Sequence, residues 1–476
     1  MFLKFTSLTD EARIILGGMA DAASSLVNPT LRLGVTGLSR SGKTVFITAL
    51  VHNLIHGGRL PLFAPYAAGR IKRAYLQPQP DDDVPRFAYE DHVADLTAGA
   101  DRSWPESTRL ISQLRLTVEF EPEGFLARRL SGGTLNIDIV DYPGEWLLDL
   151  PLLDLSYEEW SSAALQSAGT APRDRLSKAW LKHLAGMDPA APEDEAQVRK
   201  AAGIFTQYLQ ACRDDEYALS TLPPGRFLMP GDLDGSPLIT FAPLEVSATE
   251  KAPPGSMWAM MQRRYESYVT RVVKPFFINH FARLDRQIVL VDTLAALNAG
   301  PAAVADLKTA LETIMPCFRP GGSSILNALL GKRIDKILFA ATKADHLHHS
   351  SHDRLEAILR LIVDDALARS QSAGAEIDVA ALASIRATRE ARITQDGEDL
   401  PSIIGVPSKG QSSDGQEFDG KSEVAMFPGD LPEDPAKALD ARQGGDVQFL
   451  KLRPPVLQPN GPGQSTSFPN IRLDRA

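Results

Sequence analysis

Residues 31–44 have the sequence LRLGVTGLSRSGKT, and this stretch decides the fold. Its first six residues are mainly apolar and predict a buried strand. The next eight match the Gly-x-x-x-x-Gly-Lys-Thr pattern of a phosphate-binding loop, in which backbone amides face the phosphates, the lysine reaches the β- and γ-phosphates and the threonine hydroxyl binds magnesium. We therefore predict that phosphate is bound by Gly37, Ser39, Arg40, Ser41, Gly42, Lys43, Thr44 and Val45.

The residues after this loop supply the context that the motif needs. Residues 45–55 have the apolar spacing of a helix, and Gly57 and Gly58 follow them as a typical helix end. A fortuitous glycine turn would not place a strand before the loop and a helix after it. We therefore interpret residues 31–56 as the strand, loop and helix of a P-loop protein.

Two later motifs decide which kind of P-loop protein this is. Strand-like residues 135–141 end in Asp141, followed two residues later by Pro143 and then by Gly144. In a GTPase this aspartate holds magnesium, and the glycine amide senses the γ-phosphate. Alone, the Asp-x-x-Gly pattern also fits a simple turn at the end of a strand.

The other motif is Thr-Lys-Ala-Asp at residues 342–345, after strand-like residues 335–341. The carboxylate of Asp345 can accept hydrogen bonds from guanine N1–H and from the exocyclic amine, a donor pair that adenine lacks, while the stem of Lys343 packs along the base. An exposed turn with a salt bridge is the simpler alternative. All three motifs follow strands in the expected order, at the edge where open α/β sheets bind ligands.

On these motifs the sequence resembles Ras-like GTP-binding proteins, and more closely the bacterial, stress-associated YcjX family. The closer resemblance rests on WPEST at 104–108, ISQLRL at 111–116, DYPGEW at 141–146 and VDTL at 291–294, and it covers nearly the whole chain. It implies a Ras-like nucleotide-binding fold, with GTP or GDP as ligand and Mg²⁺ as cofactor. It implies little about cellular purpose beyond an association with stress.

A magnesium-binding threonine is expected shortly before the second strand of such a core, which we place at 113–121. Thr108 lies there, and Thr97 is a weaker candidate farther away. A turn or helix-cap hydroxyl after Pro105 is the alternative for Thr108. The predicted metal ligands are Thr44, Thr108 and Asp141.

Two residues bear on the rate of hydrolysis. Glu145 follows Gly144, where a small GTPase has a water-orienting glutamine; a carboxylate could orient the same water or act as a base, but it would also repel the γ-phosphate. Hydrolysis is therefore expected to be slow. Arg40 could act as a built-in arginine finger, although a solvent-facing or acid-paired side chain is the preferred interpretation. The predicted catalytic residues are Lys43, Thr108 and Glu145.

The predicted fold class is α/β, a P-loop (Ras-like GTPase) core with a large, mainly helical insertion and a small C-terminal extension that contains β-strands. The predicted boundaries are 1–144 for the first part of the core with an extended switch I region, 145–285 for the insertion, 286–400 for the rest of the core and 401–476 for the extension.

Several elements within these boundaries are predicted individually. Helices are expected at 9–27, 195–213, 256–283 and 351–370, and strands at 286–291, 403–406 and 447–452; residues 382–388 are expected to supply the last core strand and its base-contacting loop. Asp292 is expected to be a structural cap. Residues 256–283 could bind a membrane or a partner, although a core-facing apolar stripe is preferred. The histidines at 346–352 favour a solvated loop over a metal site.

Composition limits the class of protein. The 476 residues are 43% hydrophobic and 23% charged, which is typical of a globular chain. A formal charge of −10 disfavours nucleic acid as a partner. Cys212 and Cys317, the only cysteines, form neither a disulfide framework nor a zinc pattern, which favours a reducing compartment. With no membrane-length apolar run and no signal peptide recognised, a cytoplasmic location is expected.

The sequence therefore favours a magnesium-dependent GTP-binding protein that hydrolyses GTP slowly and switches conformation with its nucleotide. One alternative is a P-loop ATPase with a relaxed base site, and another is a scaffold stabilised by nucleotide that acts through its helical insertion. A protein effector is expected but has no signature in the sequence. Peripheral membrane contact is possible in principle but has no support.

Overall fold

The structure is a computed structural model that describes residues 29–38, 40–58, 60–122, 133–247, 249–318, 334, 336–371, 376–395, 398–413, 416–439, 449–457 and 466–476. The predicted helix at 9–27 lies outside these residues. The chain divides into two compact units. The sheet unit is drawn from Ile15–Tyr142, Leu284–Asn298 and Ile334–Ala476, and the helical unit from Pro143–Arg283 and Ala299–Arg333, each considered over its described residues.

Seven strands form the central sheet of the sheet unit: β1 (Thr30–Gly37), β2 (Ile71–Gln77), β3 (Ser112–Phe120), β4 (Thr134–Asp141), β5 (Arg286–Val291), β6 (Lys336–Ala341) and β7 (Glu376–Ala381). Their order is β2-β3-β4-β1-β5-β6-β7, with β4, β1, β5, β6 and β7 parallel and β3 antiparallel to both β2 and β4. The segments that follow β1, β4 and β6 therefore leave the same edge of the sheet, which is where the sequence motifs lie.

The α-helices of the described chain lie between these strands or belong to the helical unit, except α14, which follows β7 in the sheet unit. They are α1 (Lys43–His56), α2 (Ala64–Ala67), α3 (Tyr89–Thr97), α4 (Tyr157–Ala168), α5 (Arg173–Leu176), α6 (Lys178–Leu184), α7 (Glu195–Arg213), α8 (Gly225–Leu228), α9 (Met257–Tyr268), α10 (Lys274–Asn279), α11 (Thr293–Ala299), α12 (Pro301–Ile314), α13 (His352–Gln371) and α14 (Pro435–Leu439). None of the helices in the described ranges is both long enough and apolar enough to cross a membrane.

The core of the sheet unit fixes the position of α1. Phe46, Ile47 and Val51 on α1 are fully buried in one cluster with Leu116 of β3 and Ile139 of β4. Burying such side chains stabilises the unit by about 1.5–3 kcal/mol each. The N-terminus of α1 is thereby held at the end of β1.

The end of the chain packs on the same core. The Nε2 atom of His52 lies 2.6 Å from the carbonyl oxygen of Thr466, and Asn53 bonds both the amide and the carbonyl of Phe468, at 2.9 and 3.0 Å. Phe468 and Leu473 are buried in the core cluster. The C-terminal residues are therefore a structural part of the sheet unit.

A second, antiparallel sheet lies after β7. It has the order β12-β9-β8, formed by β8 (Arg389–Gln395), β9 (Glu398–Gly405) and β12 (Val424–Met426); β10 (Ser412–Ser413) and β11 (Gln416–Glu417) form a separate short ladder. Residues 403–405 of the predicted strand lie in β9. Of the strand expected at 447–452, residues 447 and 448 lie outside the described residues. The described remainder contributes one isolated bridge, Pro407 to Leu452, and the prediction of a strand there was wrong.

The helical unit has an aromatic core. Trp160, Trp180, Phe205, Phe241 and Tyr265 are buried, and neighbouring rings meet with centroids about 5–6 Å apart, for example 5.2 Å between Trp160 and Tyr265. The helix predicted at 195–213 is α7. The unit also takes in Ala299 and α12, which the sequence placed in the second part of the nucleotide-binding core.

The predicted helix at 256–283 has a break of register. It consists of α9, a π-helical turn at Val269–Val273 and α10, with Pro275 in the first turn of α10. Proline lacks a backbone N–H, and the wider π-turn before it accommodates that loss. The apolar stripe of α9 is buried within the helical unit, where Met257 and Met261 accept from the backbone amides of Asp194 and Ala242. The stripe is therefore core, as preferred from the sequence.

Candidate functional site

The loop between β1 and α1 has a backbone that only certain residues permit. A Cβ atom on Gly37 would lie 1.9 Å from the Ser41 hydroxyl oxygen, so no side chain fits there. Gly42, at the N-cap of α1, has φ 80°, and Arg40 has φ 60°. Because Gly42 carries no side chain, it leaves the first amides of α1 open to an anion, which the helix dipole also favours.

The remaining predicted loop residues have distinct positions. Ser41 is buried and its amide donates to the Leu38 carbonyl at 3.2 Å, whereas Arg40 is exposed. Val45 packs its side chain against the core, so only its backbone faces the loop side of the helix. Ser39 lies outside the described residues.

Four residues meet at the start of α1. The ammonium group of Lys43 forms a buried ion pair with Asp141, the last residue of β4. The Thr108 hydroxyl donates to the other carboxylate oxygen of Asp141 at 2.7 Å and lies 3.2 Å from the Thr44 hydroxyl. We call Lys43, Thr44, Thr108 and Asp141 the α1 cluster. The structure thus brings together the three predicted metal ligands, all of them hard oxygen donors of the kind that magnesium prefers.

The structure distinguishes the two threonines that were candidates for binding magnesium. Thr108 lies in the segment between the 3₁₀ turn Gly99–Asp101 and β3, and it reaches the α1 cluster. Thr97 ends α3, where its exposed hydroxyl donates to the Val93 carbonyl at 2.7 Å. In this structure Thr108 is the one of the two that lies at the cluster.

The predicted base site lies at the end of β6. One carboxylate oxygen of the buried Asp345 accepts from the amide of Ala387 at 2.8 Å, and its backbone carbonyl accepts from the Thr388 hydroxyl at 2.6 Å. Residues 382–388 therefore form the loop that faces Asp345. The predicted strand within 382–388 was wrong, because the last core strand, β7, ends at Ala381.

Lys343 is held beside Asp345 by a second ion pair. Its backbone has φ 60°, and its ammonium group lies 2.5 Å from Asp292, the residue after β5. The other carboxylate oxygen of Asp292 accepts from the Ala295 amide at 3.1 Å, at the start of α11. Asp292 is thus a structural cap, as predicted, and it also fixes the lysine of the base motif.

Positive charge accumulates around the loop. Burial lowers the pKa of Lys451, and the nearby charges of Arg40 and Lys343 lower it further, while Asp292 opposes them. The backbone of the same segment accepts from Trp104, whose indole N–H donates to the Leu452 carbonyl at 2.6 Å. A surface where neighbouring cations lower the pKa of Lys451 is suited to a polyanionic ligand.

Gly144 and Glu145 belong to the helical unit, where they begin the 3₁₀ segment Gly144–Asp154. The Glu145 carboxylate is mostly buried and lies 3.5 Å from the guanidinium of Arg213. A Cβ atom on Gly225 would lie 1.9 Å from the Glu145 carbonyl oxygen, so the two backbones are in close contact. The proposed roles of Gly144 and Glu145 toward the nucleotide remain predictions.

Sequence reasoning missed the residues that act through their backbone or through the C-terminal segment. Ala387 contacts Asp345 through an amide that every non-proline residue has, so its side chain gave no signal. The signal for Trp104 was present in the family-like segment 104–108, but its partner Leu452 is 348 residues away in the sequence. Such a pairing is not predictable from local patterns.

The sheet and the loops at its carboxyl edge define an α/β protein with a mainly parallel sheet, consistent with a Ras-like core. The chain matches the model of the YcjX-like family, DUF463, over residues 31–476, and it belongs to that family.

Two relatives support this assignment. A protein of Escherichia coli described as "Ras-like GTPase YcjX" is 39% identical over 463 residues, which cover 94% of this chain and 95% of that protein. A protein of Shewanella oneidensis with the same description is 36% identical over 468 residues, which cover 93% and 92% of the two chains.

Proposed function

We propose that this protein is a magnesium-dependent guanine-nucleotide-binding protein that hydrolyses GTP slowly and changes conformation with its nucleotide. The observation that carries the proposal is the α1 cluster at the N-terminus of α1, where two hydroxyls and a carboxylate converge beside the P-loop lysine. The description of two relatives as Ras-like GTPases supports the same conclusion. A role in the bacterial stress response stays a prediction from the family resemblance.

At the phosphate end, Lys43 is the residue that would exchange partners. Its ammonium group pairs with Asp141 in this structure, and a bound triphosphate would offer β- and γ-phosphate oxygens in its place. Asp141 would then be left to bind magnesium together with Thr44 and Thr108. Magnesium held by these residues would supply positive charge beside the phosphates during hydrolysis. The chain contributes by positioning these groups before the nucleotide arrives.

At the base end, Asp345 would select guanine. Its carboxylate is buried and oriented by the Ala387 amide, so it is preorganised to accept from N1–H and the exocyclic amine of guanine. Adenine offers no such donor pair, and it would leave a buried carboxylate with the Ala387 amide but without the two donors of the base, which costs at least about 1–3 kcal/mol. Lys343, fixed by Asp292, is positioned to support the base and the loop.

Slow hydrolysis is proposed from Glu145. A carboxylate in place of the water-orienting glutamine would repel the γ-phosphate. The Glu145 carboxylate also lies 3.5 Å from the Arg213 guanidinium, which leaves it less free to orient the attacking water. Arg40 is exposed. We propose that its side chain faces solvent or pairs with an acid and does not act as an arginine finger, so that Arg40→Ala leaves the rate of hydrolysis nearly unchanged.

The test is calorimetric titration of nucleotide-free protein with GTP, GDP and ATP in magnesium. Tight GTP binding, weak ATP binding and unequal GTP and GDP affinities are expected, because only a differential affinity shifts a conformational equilibrium. Lys43→Ala should abolish triphosphate binding. Asp345→Asn should shift the preference from GTP to XTP, because an amide can donate to the 2-oxo group of xanthine.

The competing functions predict other results. Equal ATP and GTP affinity in the unchanged protein would remove guanine selection by Asp345 and favour a P-loop ATPase. Tight retention of nucleotide, with equal GDP and GTP affinity and no phosphate release, would favour a scaffold that acts through its helical unit. Unchanged affinities in both variants would contradict the site assignment itself.

A further inference from the structure

Two histidines and a glutamate lie together near the base site, outside the nucleotide-binding residues. The Oε2 atom of Glu390 is 2.8 Å from His349 Nδ1 and 3.9 Å from His348 Nε2. The three ligand atoms lie within 4.8 Å of one another. The side chain of His348 is 10% exposed, that of Glu390 30% and that of His349 64%, so the group is buried on one side and open on the other.

We propose that His348, His349 and Glu390 bind a divalent transition-metal ion, Zn²⁺, with water completing the coordination. Metal–ligand distances of about 2.0–2.2 Å in a tetrahedral site place the ligand atoms about 3.3–3.5 Å apart. The two separations from Glu390, 2.8 and 3.9 Å, lie on either side of that range, so shifts of about half an ångström at the side-chain tips would bring both of these pairs into it. Two imidazoles favour zinc over magnesium.

The surroundings orient these ligands. The Nδ1 atom of His348 lies 2.9 Å from the Ser350 hydroxyl and accepts weakly from the Ser350 amide at 3.4 Å. In the tautomer that donates from Nδ1 to the hydroxyl, Nε2 keeps a lone pair toward Glu390. The second oxygen of Glu390 accepts from Arg386 at 3.1 Å. Each of these two ligands thus has a partner that holds it in place, which is typical of metal sites.

The position of the group suggests its purpose. His348 follows Asp345 by three residues, and Glu390 follows Thr388, whose hydroxyl donates to the Asp345 carbonyl at 2.6 Å. An ion held by His348, His349 and Glu390 would clamp the segment after the base motif to the start of β8. It would thereby restrict the two loops that frame the proposed guanine site.

The experiment uses the full chain, treated with a chelator and free of nucleotide, titrated with Zn²⁺ by calorimetry and with Co²⁺ by absorption spectroscopy. One saturable equivalent is expected, with a Co²⁺ spectrum of low coordination number and no displacement by excess Mg²⁺. His349→Ala and Glu390→Gln should each weaken the affinity by about tenfold or more. His349 is largely exposed, so its replacement tests the ligand without threatening the fold.

Two control variants test whether Zn²⁺ binds at this site and not at other side chains. His56→Ala removes another exposed histidine, and Asp141→Asn removes the carboxylate of the α1 cluster; both should retain the full equivalent of Zn²⁺. The proposal is overturned if no saturable binding occurs, or if His349→Ala and Glu390→Gln bind Zn²⁺ as the unchanged protein does. Because no nucleotide is present, failure here is distinguishable from failure of the proposed GTP binding.

Discussion

The hydroxyl of Thr108 is the contact in the α1 cluster that tests the proposed switch most directly. It donates to Asp141 at 2.7 Å and lies 3.2 Å from the Thr44 hydroxyl. Thr108→Val keeps the shape and removes the oxygen. We expect the affinity for a non-hydrolysable GTP analogue with magnesium to fall by about tenfold or more, equivalent to about 1.4 kcal/mol, with GDP affinity little changed.

Thr97→Val is the matched control for this change. Among the described residues its hydroxyl donates to the carbonyls of Val93 and Ala94 in α3, so its loss should alter neither affinity. Calorimetric titration of both variants makes the comparison. Equal losses for GDP and the analogue in Thr108→Val would show that the hydroxyl supports the fold of the loop rather than a triphosphate-specific ligand.

At the scale of single residues, the sequence predicted which side chains carry the functional groups better than it predicted which residues contact them. Lys43, Thr108 and Asp141 carry functional groups whose spacing identifies them, and the structure brings them together. Ala387 reaches Asp345 through its backbone amide, which leaves no mark in the side chain. A metal site at the histidines was disfavoured from the sequence because no cysteine lies near them and their spacing is loose. Glu390, which lies beside His349 in the structure, is 41 residues farther along the chain.

At the scale of elements, the segment that carries Thr108 is tied to the C-terminal strap, which we define as residues 449–457. The indole of Trp104 donates to the Leu452 carbonyl at 2.6 Å, and Arg102 donates to the Pro454 carbonyl at 2.6 Å. Arg453 of the strap donates back to the carbonyl of Ala100 at 2.8 Å. The strap therefore holds the part of the proposed switch segment that precedes Thr108, at residues 100–104.

Trp104→Phe removes one of these bonds and keeps most of the ring. Leaving the carbonyl of Leu452 without its donor costs about 1 kcal/mol, which is roughly a fivefold change in an equilibrium. We expect the switch segment to be less ordered in this variant, with faster amide exchange at 99–110. The GTP analogue should bind about fivefold more weakly, because the segment then has to become ordered when the analogue binds. Hydrogen exchange and calorimetry measure the two effects.

Trp258→Phe is the corresponding control, because its indole donates to Glu158 within the helical unit at 3.2 Å. It should leave exchange at 99–110 and analogue affinity unchanged. If both tryptophan variants weaken binding equally, a general loss of stability explains the result and the strap has no particular role.

The bounds of elements with a strong polar–apolar periodicity were predicted well from the sequence. The bounds of buried elements that are apolar throughout were not. The polar and apolar sides of residues 195–213 alternate at helical spacing, and α7 has those bounds. Around β7 the apolar run continues past the strand, since Leu382, Ala383 and Ile385 are buried in the loop. A run without alternation does not show where a strand ends.

At the scale of the whole molecule, the chain enters the helical unit twice over its described residues, at Pro143 and again at Ala299. The sequence predicted the first entry near residue 145. It did not predict the second, because an amphipathic helix such as α12 fits the face of a parallel sheet as well as a helical bundle. Periodicity shows that a face is buried, but it does not identify the surface that buries it.

The helical unit contains a buried acid whose titration should change its stability. The carboxylate of Asp149 accepts from the Gly225 amide at 2.7 Å and from the Tyr268 hydroxyl at 2.6 Å. Burial raises the pKa of Asp149 to about 6, although these hydrogen bonds oppose the rise. Between the ordinary pKa of 3.8 and this value the folded unit binds more protons than the unfolded chain, so its free energy of unfolding rises as pH falls through 6.

We therefore expect the free energy of unfolding of the helical unit to rise by about 1 kcal/mol as the pH falls from 7 to 5, relative to the Asp149→Asn variant. The asparagine of that variant cannot titrate but can still form hydrogen bonds with Gly225 and Tyr268. Trp104 is the only one of the 5 tryptophans outside the helical unit, so in a Trp104→Phe background tryptophan fluorescence reports that unit alone. Urea unfolding of the two proteins at several pH values measures this difference. Other titrating groups such as His183 are present in both proteins, so their contributions cancel. Parallel pH curves for the two proteins would show that Asp149 is already ionised in the folded unit at pH 5, and that its hydrogen bonds outweigh the cost of burying its charge.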